Sequence, residues 1–284
     1  MTVFKFSALA GLSSLLIGCS AAGVLNGITP SGSFDRDKNV SYGDGPRQMM
    51  DIYRADEPKV DAPVIVFVHG GGWNAGDKSM YKFVAEGFTK DGYDVVVPNY
   101  RLYPNMTYPD MVVDTGAAVN DVAVRYPGKP IVLIGHSAGA YNVLQTVVAP
   151  EVSGVDACAN VSGVIALAAP TGVYPLTDEP YISIFPEYRL TGDDGPANRT
   201  PDRAPSLFLV NGLDDGTVRP TNATIMAERY TEAGLRAVAK TYEGMGHVDA
   251  VRVLSRHFDG GSTLKTDILS FIDGLPSGPD YCSL

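Results

Sequence analysis

The sequence predicts an α/β protein with a doubly wound, mostly parallel sheet, and three observations support this fold class. Short apolar runs recur along the chain, and they are continuous rather than alternating, which is typical of strands buried on both faces. Segments with helical spacing lie between these runs, as in sheets built with right-handed crossovers. Glycine-rich corners follow two of the runs. In such a sheet, ligands and chemistry belong at the carboxyl ends of the strands.

Each predicted element has a local signal. The apolar runs predicted as strands are residues 64–68, 95–98, 131–134, 157–161, 206–210 and 237–242. The segments predicted as helices are residues 80–92, 108–128 and 219–234, with a further helix directly after Ser137. Asp77 is a plausible N-cap before the first of these helices, and Gly92 ends it. Pro127 stops the second, and Pro220 opens the third.

Length and composition predict one domain. A chain of 284 residues that is 45% hydrophobic and 19% charged can bury one sizeable core, which we place over residues 40–284. The formal net charge of −10 argues against a nucleic-acid partner, which would favour a basic face. No metal site and no cofactor are predicted.

Residues 169–205 interrupt the alternation of strands and helices with seven prolines. We interpret this segment as a partial lid over the site, the alternative being an irregular insertion. Its apolar bulk comes from Tyr174, Tyr181, Ile182, Phe185 and Tyr188.

The N-terminal residues have the sequence pattern of an export signal peptide. Lys5 precedes an apolar stretch over residues 6–17, and a Leu-Ile-Gly-Cys sequence ends at Cys19. This ending resembles the lipobox of bacterial lipoproteins, which predicts a signal peptide over residues 1–18 and a lipid at Cys19. An ordinary secretory signal is the alternative. By the sorting rule of that class, Ser20 favours an outer-membrane lipoprotein facing the periplasm.

The chain after Cys19 is small and rich in glycine and serine, so residues 19–39 are predicted to be a flexible tether between a membrane and the domain. Cys158 lies in an apolar run and is interpreted as a small core residue. A bridge between Cys158 and Cys282 is allowed in an oxidising compartment, but no spacing requires it.

A Gly-His-Ser-Ala-Gly corner at residues 135–139 is the first motif that carries chemistry. It follows a predicted buried strand and precedes a helix, which is the context of a nucleophile elbow. The small residues on either side of Ser137 allow strand and helix to approach closely, and the start of the helix adds partial positive charge beside the hydroxyl. The pattern alone is weak evidence, because a glycine-rich chain can contain it by chance.

The second motif, His69-Gly70-Gly71-Gly72, follows another apolar run. Backbone N–H groups in such a loop can stabilise the oxyanion that forms in acyl transfer. A phosphate-binding loop is the alternative, but neither a Walker Lys-Ser/Thr ending nor dinucleotide glycine spacing follows.

A serine nucleophile needs a base, and the chain has four histidines. His69 and His136 belong to the two motifs and are expected to support their geometry. His257 is expected to be a surface or helix-end residue. His247 follows a predicted strand in a loop with glycines, so it is the candidate base. For the acid that orients it, Asp214 and Asp215 follow a strand end, and Asp249 and Glu243 remain alternatives.

From about residue 40 to residue 274, the chain resembles an α/β-hydrolase of the esterase and lipase group that carries the His-Gly-Gly-Gly motif. It is similar to carboxylesterases of the hormone-sensitive-lipase type, and the Tyr-Arg-Leu sequence at residues 100–102 is also similar to that group. The helical cap of that type is not evident before Val64. Trp73 after the glycines is more similar to small esterases and to the kynurenine-formamidase-like branch.

The resemblance implies an α/β-hydrolase fold and a set of site residues. It favours Asp215 as the acid, because Gly212, Asp215 and Val218 meet the family spacing. The implied roles are a nucleophile, an acid and a base at Ser137, Asp215 and His247, and oxyanion-hole amides at Gly71, Gly72 and Ala138. Trp73 and Tyr141 are expected to contact the substrate.

The sequence thus predicts a serine carboxylic-ester hydrolase that acts on small-molecule esters of short to medium acyl chains. An aryl formamidase is the alternative within the same chemistry. A catalytically inactive ligand-binding protein on the same fold is the alternative from another class. A long-chain lipase is less favoured, because the predicted lid is modest.

Overall fold

The computed structural model describes residues 23–172, 176, 178–186, 195–256, 258–278 and 280–282. Eight strands are described: β1 (Phe34–Ser41), β2 (Met49–Ala55), β3 (Val64–Val68), β4 (Val95–Pro98), β5 (Ile131–His136), β6 (Val161–Leu167), β7 (Ser206–Gly212) and β8 (Ala237–Tyr242). They form one sheet in the order β1-β2-β4-β3-β5-β6-β7-β8. The first two strands pair antiparallel, β2 pairs antiparallel with β4, and the remaining pairs are parallel. The predicted doubly wound, mostly parallel sheet is confirmed.

Helices cover both faces of this sheet. The longer ones are α1 (Lys82–Thr89), α2 (Asp110–Arg125), α3 (Ala138–Val148), α4 (Thr221–Glu232) and α5 (Leu264–Asp273). Shorter helical turns lie at Lys78–Tyr81, Pro150–Ser153, Ala157–Asn160, Tyr181–Ile184, Pro196–Asn198 and Asp249–Arg252. Every residue of β3 and β5 is buried, because apolar clusters pack on both sides of the sheet. No helix among the described residues is long and apolar enough to cross a membrane.

One predicted strand was placed wrongly. Residues 157–160 form a helical turn instead of a strand, and the Asp156 side chain caps that turn by accepting a hydrogen bond from the Ala159 N–H. The sheet register begins only at Val161, which pairs with Ile131 of β5. The apolar run was ambiguous between helix and strand, and the cap at Asp156 decided it locally.

The prediction of a flexible tether over residues 19–39 is wrong for residues 23–39. Residues 23–28 are helical, and Leu25 is buried in the apolar cluster on one face of the sheet. The Asn26 side chain bonds the Ser79 carbonyl and the Phe83 N–H, which fastens the helix to the domain. Strand β1 then forms the edge of the sheet, so the domain begins before the predicted residue 40. Strand β1 is mostly exposed, and such an edge strand has no continuous apolar signal.

A disulfide joins Cys158 to Cys282, a pairing that the sequence left open. Cys158 is therefore a bridging residue rather than the simple core residue that we predicted. The Tyr281 N–H also donates to the Cys158 carbonyl at 2.8 Å. These contacts hold the described C-terminal residues against the start of β6.

Candidate active site

Ser137 occupies a strained corner between a strand and a helix. Strand β5 ends at His136, α3 begins at Ala138, and Ser137 between them has φ 53° and ψ −121°. A non-glycine residue at positive φ is costly and persists where the surrounding packing imposes it. That packing is close, because a Cβ at Gly139 would overlap the Val68 and His69 carbonyls, and one at Gly135 would overlap the Gly139 carbonyl. The glycines of the motif thus let the corner expose the serine hydroxyl.

Three of the predicted residues meet at the carboxyl edge of the sheet. His247 Nε2 lies 2.9 Å from the Ser137 hydroxyl oxygen, and His247 Nδ1 lies 2.8 Å from Asp215 Oδ2. Asp215 follows β7 and His247 follows β8, so three strand ends supply the three side chains. The two loops touch, because a Cβ at Gly212 would overlap the Met245 carbonyl. The structure therefore brings the acid, the imidazole and the hydroxyl into one hydrogen-bonded chain.

The environment of Asp215 keeps it ionised. Its side chain is fully buried, which by itself would raise the pKa of the carboxyl group. The hydrogen bond to His247 and the N–H groups of Val218 and Thr217, both 2.8 Å from Oδ1, hold the pKa below its usual range instead. A lowered pKa means that the carboxylate stabilises the fold at neutral pH, and this contribution is lost as the pH falls through the folded-state pKa.

The other candidate acids lie elsewhere. Asp214 and Glu243 are exposed. The Asp249 carboxylate accepts from the Gly246 N–H and pairs with Arg252. Asp215 is the carboxylate that contacts His247, as the family spacing predicted.

His136 and His69 have the supporting positions that we predicted. His136 Nε2 lies 2.9 Å from the His247 carbonyl and can donate to it, so it fastens the loop that carries the candidate base. Burial lowers the pKa of His136 to about 3, so this imidazole stays neutral when it donates. His69 Nδ1 lies 2.8 Å from the Gly70 carbonyl, and burial lowers the pKa of His69 to about 4. The prediction for His257 falls outside the described residues.

The glycine loop after β3 runs beside the serine. A Cβ at Gly70 would stand 3.0 Å from the Ser137 Cβ, so this loop passes within contact of the elbow. Gly71 and Gly72 have φ values of +126° and +57°, which favour glycine. Ala138 is the first residue of α3, where a backbone N–H has no acceptor within the helix. The oxyanion roles of Gly71, Gly72 and Ala138 remain predictions.

Side chains that sequence reasoning did not single out hold this loop in place. Arg47 donates to the Gly76 and Tyr100 carbonyls, at 2.9 and 2.8 Å. Tyr100, from the Tyr-Arg-Leu sequence, donates to the His69 carbonyl at 3.1 Å and stacks on the His69 ring. Arg101, the next residue, pairs with buried Asp114 of α2. The resemblance at residues 100–102 pointed to this segment, whereas no local signal identified Arg47.

A cavity of about 400 Å³ opens beside Ser137. Trp73 and Tyr141, which we expect to contact the substrate, line it, and their rings meet edge to face. The insertion contributes Pro170, Gly172, Leu176, Tyr181 and Phe185 to the lining. Gly72 also lines the cavity, and the remaining wall is Thr217, Val218, Arg219 and Asn222, which we did not predict. Tyr174 and Tyr188 of the predicted lid fall outside the described residues.

The chain is similar to several known proteins in sequence and in fold. A family model described as BD-FAE matches residues 50–178, less than half of the chain. The chain is 28% identical over 274 residues to the isoprenylcysteine alpha-carbonyl methylesterase of Arabidopsis thaliana, across 84% of this chain and 63% of that protein. It is 31% identical over 143 residues to the kynurenine formamidase of Drosophila melanogaster, across 49% of this chain and 46% of that protein.

The chain spans 51% to 63% of the length of these plant methylesterases. A solved structure of inhibited esterase B from Lactobacillus rhamnosis superposes with a TM-score of 0.76 at 17% identity, across 93% of this chain and 95% of that one. The strand order and this superposition together show that the chain has the α/β-hydrolase fold.

Proposed function

We propose that the protein is a serine carboxylic-ester hydrolase that acts on small esters of short to medium acyl chains. The observation that carries the proposal is the hydrogen-bonded chain from Asp215 through His247 to the Ser137 hydroxyl, beside a cavity. The methylesterase relatives and the match to BD-FAE support ester chemistry. The aromatic cavity wall suits an apolar acyl or alcohol group of modest size.

In the proposed mechanism, the Ser137 oxygen attacks the ester carbonyl carbon while His247 Nε2 accepts the hydroxyl proton. Negative charge develops on the carbonyl oxygen, where the N–H groups of Gly71, Gly72 and Ala138 are proposed to donate. His247 then returns the proton to the departing alcohol, which leaves an acyl group on Ser137. Water attacks this acyl-serine with His247 again as the base, and the acid and free serine are released.

Asp215 orients the His247 imidazole so that it can act as the base. Asp215 accepts at His247 Nδ1, which places the proton on that nitrogen and leaves the Nε2 lone pair facing Ser137. His136 anchors the backbone of the same histidine. The ionised carboxylate then stabilises the imidazolium that forms when the proton moves.

Hydrolysis of an aryl formamide is the second candidate, because the chain is similar to a kynurenine formamidase over 143 residues. The same three side chains could cleave an activated amide. A binding protein without activity is disfavoured, since nucleophile, acid and base are all present and in hydrogen-bond contact.

A substrate panel separates these functions. We expect turnover of p-nitrophenyl acetate and butyrate to exceed that of p-nitrophenyl palmitate and N-formylkynurenine, because the cavity has a volume of only about 400 Å³ and the proposed substrates are esters. A fluorophosphonate probe should label the protein covalently at Ser137. Faster hydrolysis of the formamide would assign the second function, and a folded protein that neither labels nor turns over any substrate would be a binder.

We also propose that the protein is exported and anchored to a membrane, with a lipid at Cys19, and faces the periplasm. Cys19 lies outside the described residues, so the lipobox-like sequence is the main support. The disulfide at Cys158 suits an oxidising compartment. Replacing Cys19 with serine should move the protein from the membrane fraction to the soluble periplasmic fraction on cell fractionation. Retention of the variant at the membrane would contradict the anchor.

A further inference from the structure

One charged residue lines the candidate site. Of the described residues around the cavity beside Ser137, Arg219 is the single residue with a formal charge, and the others are apolar, aromatic or neutral polar. The chain as a whole is acidic, with a formal net charge of −10. A cation in this position therefore contributes a local field opposite in sign to the net charge of the protein.

The Arg219 guanidinium forms neither an ion pair nor a hydrogen bond with any residue in the described ranges. Two other arginines are paired: Arg36 contacts Asp51, and Arg101 contacts Asp114. An unpaired guanidinium keeps all five of its donors available to a ligand.

The backbone at Arg219 is held firmly although the side chain is exposed. Its carbonyl accepts from the backbone and side-chain N–H groups of Asn222, each at 3.0 Å. The Asn222 Oδ1 atom in turn accepts from the Gly172 N–H at 2.9 Å, at the start of the insertion. On the other side, Asp215 accepts from the N–H groups of Thr217 and Val218. The segment from Asp215 to Asn222 thus connects two parts of the site. It begins at Asp215, which orients the His247 imidazole, and it continues into the cavity wall.

The guanidinium and the aromatic rings of the cavity wall indicate which kind of ligand the cavity can bind. A guanidinium is planar and always charged, and it binds carboxylates through two parallel hydrogen bonds. The rest of the lining offers aromatic rings such as Trp73 and Phe185, which suit the apolar part of a small ester. A molecule with an apolar body, an ester group and an anionic end would satisfy both parts of the cavity.

We propose that Arg219 makes this site selective for esters that carry a carboxylate, on either the acyl or the alcohol part. The inference rests on the proposed ester hydrolysis and names its substrate class. Arg219 binds the anionic end and so orients the ester carbonyl toward Ser137. It takes no part in the bond changes at the carbonyl carbon.

Matched ester pairs test the inference. 4-Carboxyphenyl acetate and its neutral isostere 4-carbamoylphenyl acetate differ in the charge of the alcohol part. Monophenyl adipate and phenyl adipamate differ in the charge of the acyl part. For each pair, the measured quantity is the ratio of kcat/KM for the anionic ester to kcat/KM for the neutral ester, in the wild-type protein and in variants.

In Arg219→Gln we expect this ratio to fall about 3- to 10-fold for at least one pair, a range that allows for solvent screening of an exposed ion pair. Hydrolysis of the neutral ester should fall less than hydrolysis of the anionic ester, since neutral groups gain little from the charge. Arg219→Lys should keep part of the ratio, because the charge remains without the bidentate geometry. Added NaCl should lower the ratio in the wild type but not in Arg219→Gln.

Arg236→Gln is the matched control. Arg236 is also exposed, but it precedes β8 at the amino end of the strand, at the opposite edge of the sheet from the candidate site. It removes the same charge from the protein, so it should leave the ratio unchanged. An unchanged ratio in Arg219→Gln for both pairs, or an equal fall in Arg236→Gln, would overturn the inference.

The test also distinguishes this inference from the proposed function. If the wild type hydrolyses neutral esters and is labelled at Ser137 while the ratios stay constant, the anion selectivity alone is refuted. If the folded wild type hydrolyses none of the four esters and resists labelling, the ester hydrolase itself is refuted.

Discussion

Ser137→Ala is expected to remove the proposed ester hydrolysis almost completely, with a fall in kcat on the order of 10⁵- to 10⁶-fold, as in serine hydrolases that lose the nucleophile. The variant loses one oxygen atom, and alanine occupies the same corner between β5 and α3. The strain at φ 53° is imposed by the packing of Gly135 and Gly139, which the substitution leaves in place. The fold should therefore persist.

The measurement is p-nitrophenyl butyrate hydrolysis, with thermal unfolding and fluorophosphonate labelling on the same preparations. We expect the Tm to stay within about 2 °C of the wild type, because no packed group is removed. Ser79→Ala is the matched control: Ser79 is exposed, its backbone groups contact Asp77 and Asn26, and its hydroxyl also hydrogen-bonds the Asp77 carboxylate. That variant should label and turn over normally. Undiminished turnover in a well-folded Ser137→Ala protein would disprove the assignment of the nucleophile.

Asp215→Asn is expected to lower kcat by about 10⁴-fold while the fold is retained, comparable to the same change in Ser-His-Asp enzymes. Two backbone hydrogen bonds to the side chain of residue 215 explain this expectation. The N–H groups of Thr217 and Val218 donate to Oδ1, so an asparagine must place its oxygen there and turn its NH₂ group toward His247 Nδ1. The imidazole would then carry its proton on Nε2, which faces Ser137 and could no longer accept the hydroxyl proton.

Asp214→Asn provides the comparison, since it removes the same charge from the adjacent, exposed residue. Its kcat should stay close to that of the wild type. Both variants are assayed at neutral pH against p-nitrophenyl butyrate, with circular dichroism to confirm the fold. Equal losses in the two variants would mean that general electrostatics, rather than the Asp215–His247 hydrogen bond, supports the activity.

Much of the fold could be predicted because its signals are local. The apolar runs of β3 and β4 gave strand boundaries that the structure reproduces, since a strand buried on both faces must be apolar throughout. The boundaries of β8 were also reproduced, although that strand is largely exposed. The ends of α2 and α4 likewise follow proline and glycine signals. Strands β1 and β2 were both missed, because β1 is an exposed edge strand and the apolar residues of β2 are interrupted by Asp51 and Arg54.

Part of the candidate site was local as well. The corner at Ser137 is encoded by small residues two positions away, because only they let β5 and α3 approach so closely. The glycine loop after β3 and the position of His247 after β8 could also be assigned from neighbouring residues. These groups were identifiable because the backbone conformation that they need is specified within a few positions of each.

Tertiary structure alone decided the rest. Residues 215 and 247 are far apart in the chain, and their contact depends on β7 and β8 lying side by side. The pairing of Cys158 with Cys282 and the hydrogen bond from the Gly172 N–H to Asn222 depend likewise on how distant segments pack. Sequence patterns record the backbone conformation and burial of each element, whereas the partner that a polar side chain meets is set by packing between elements.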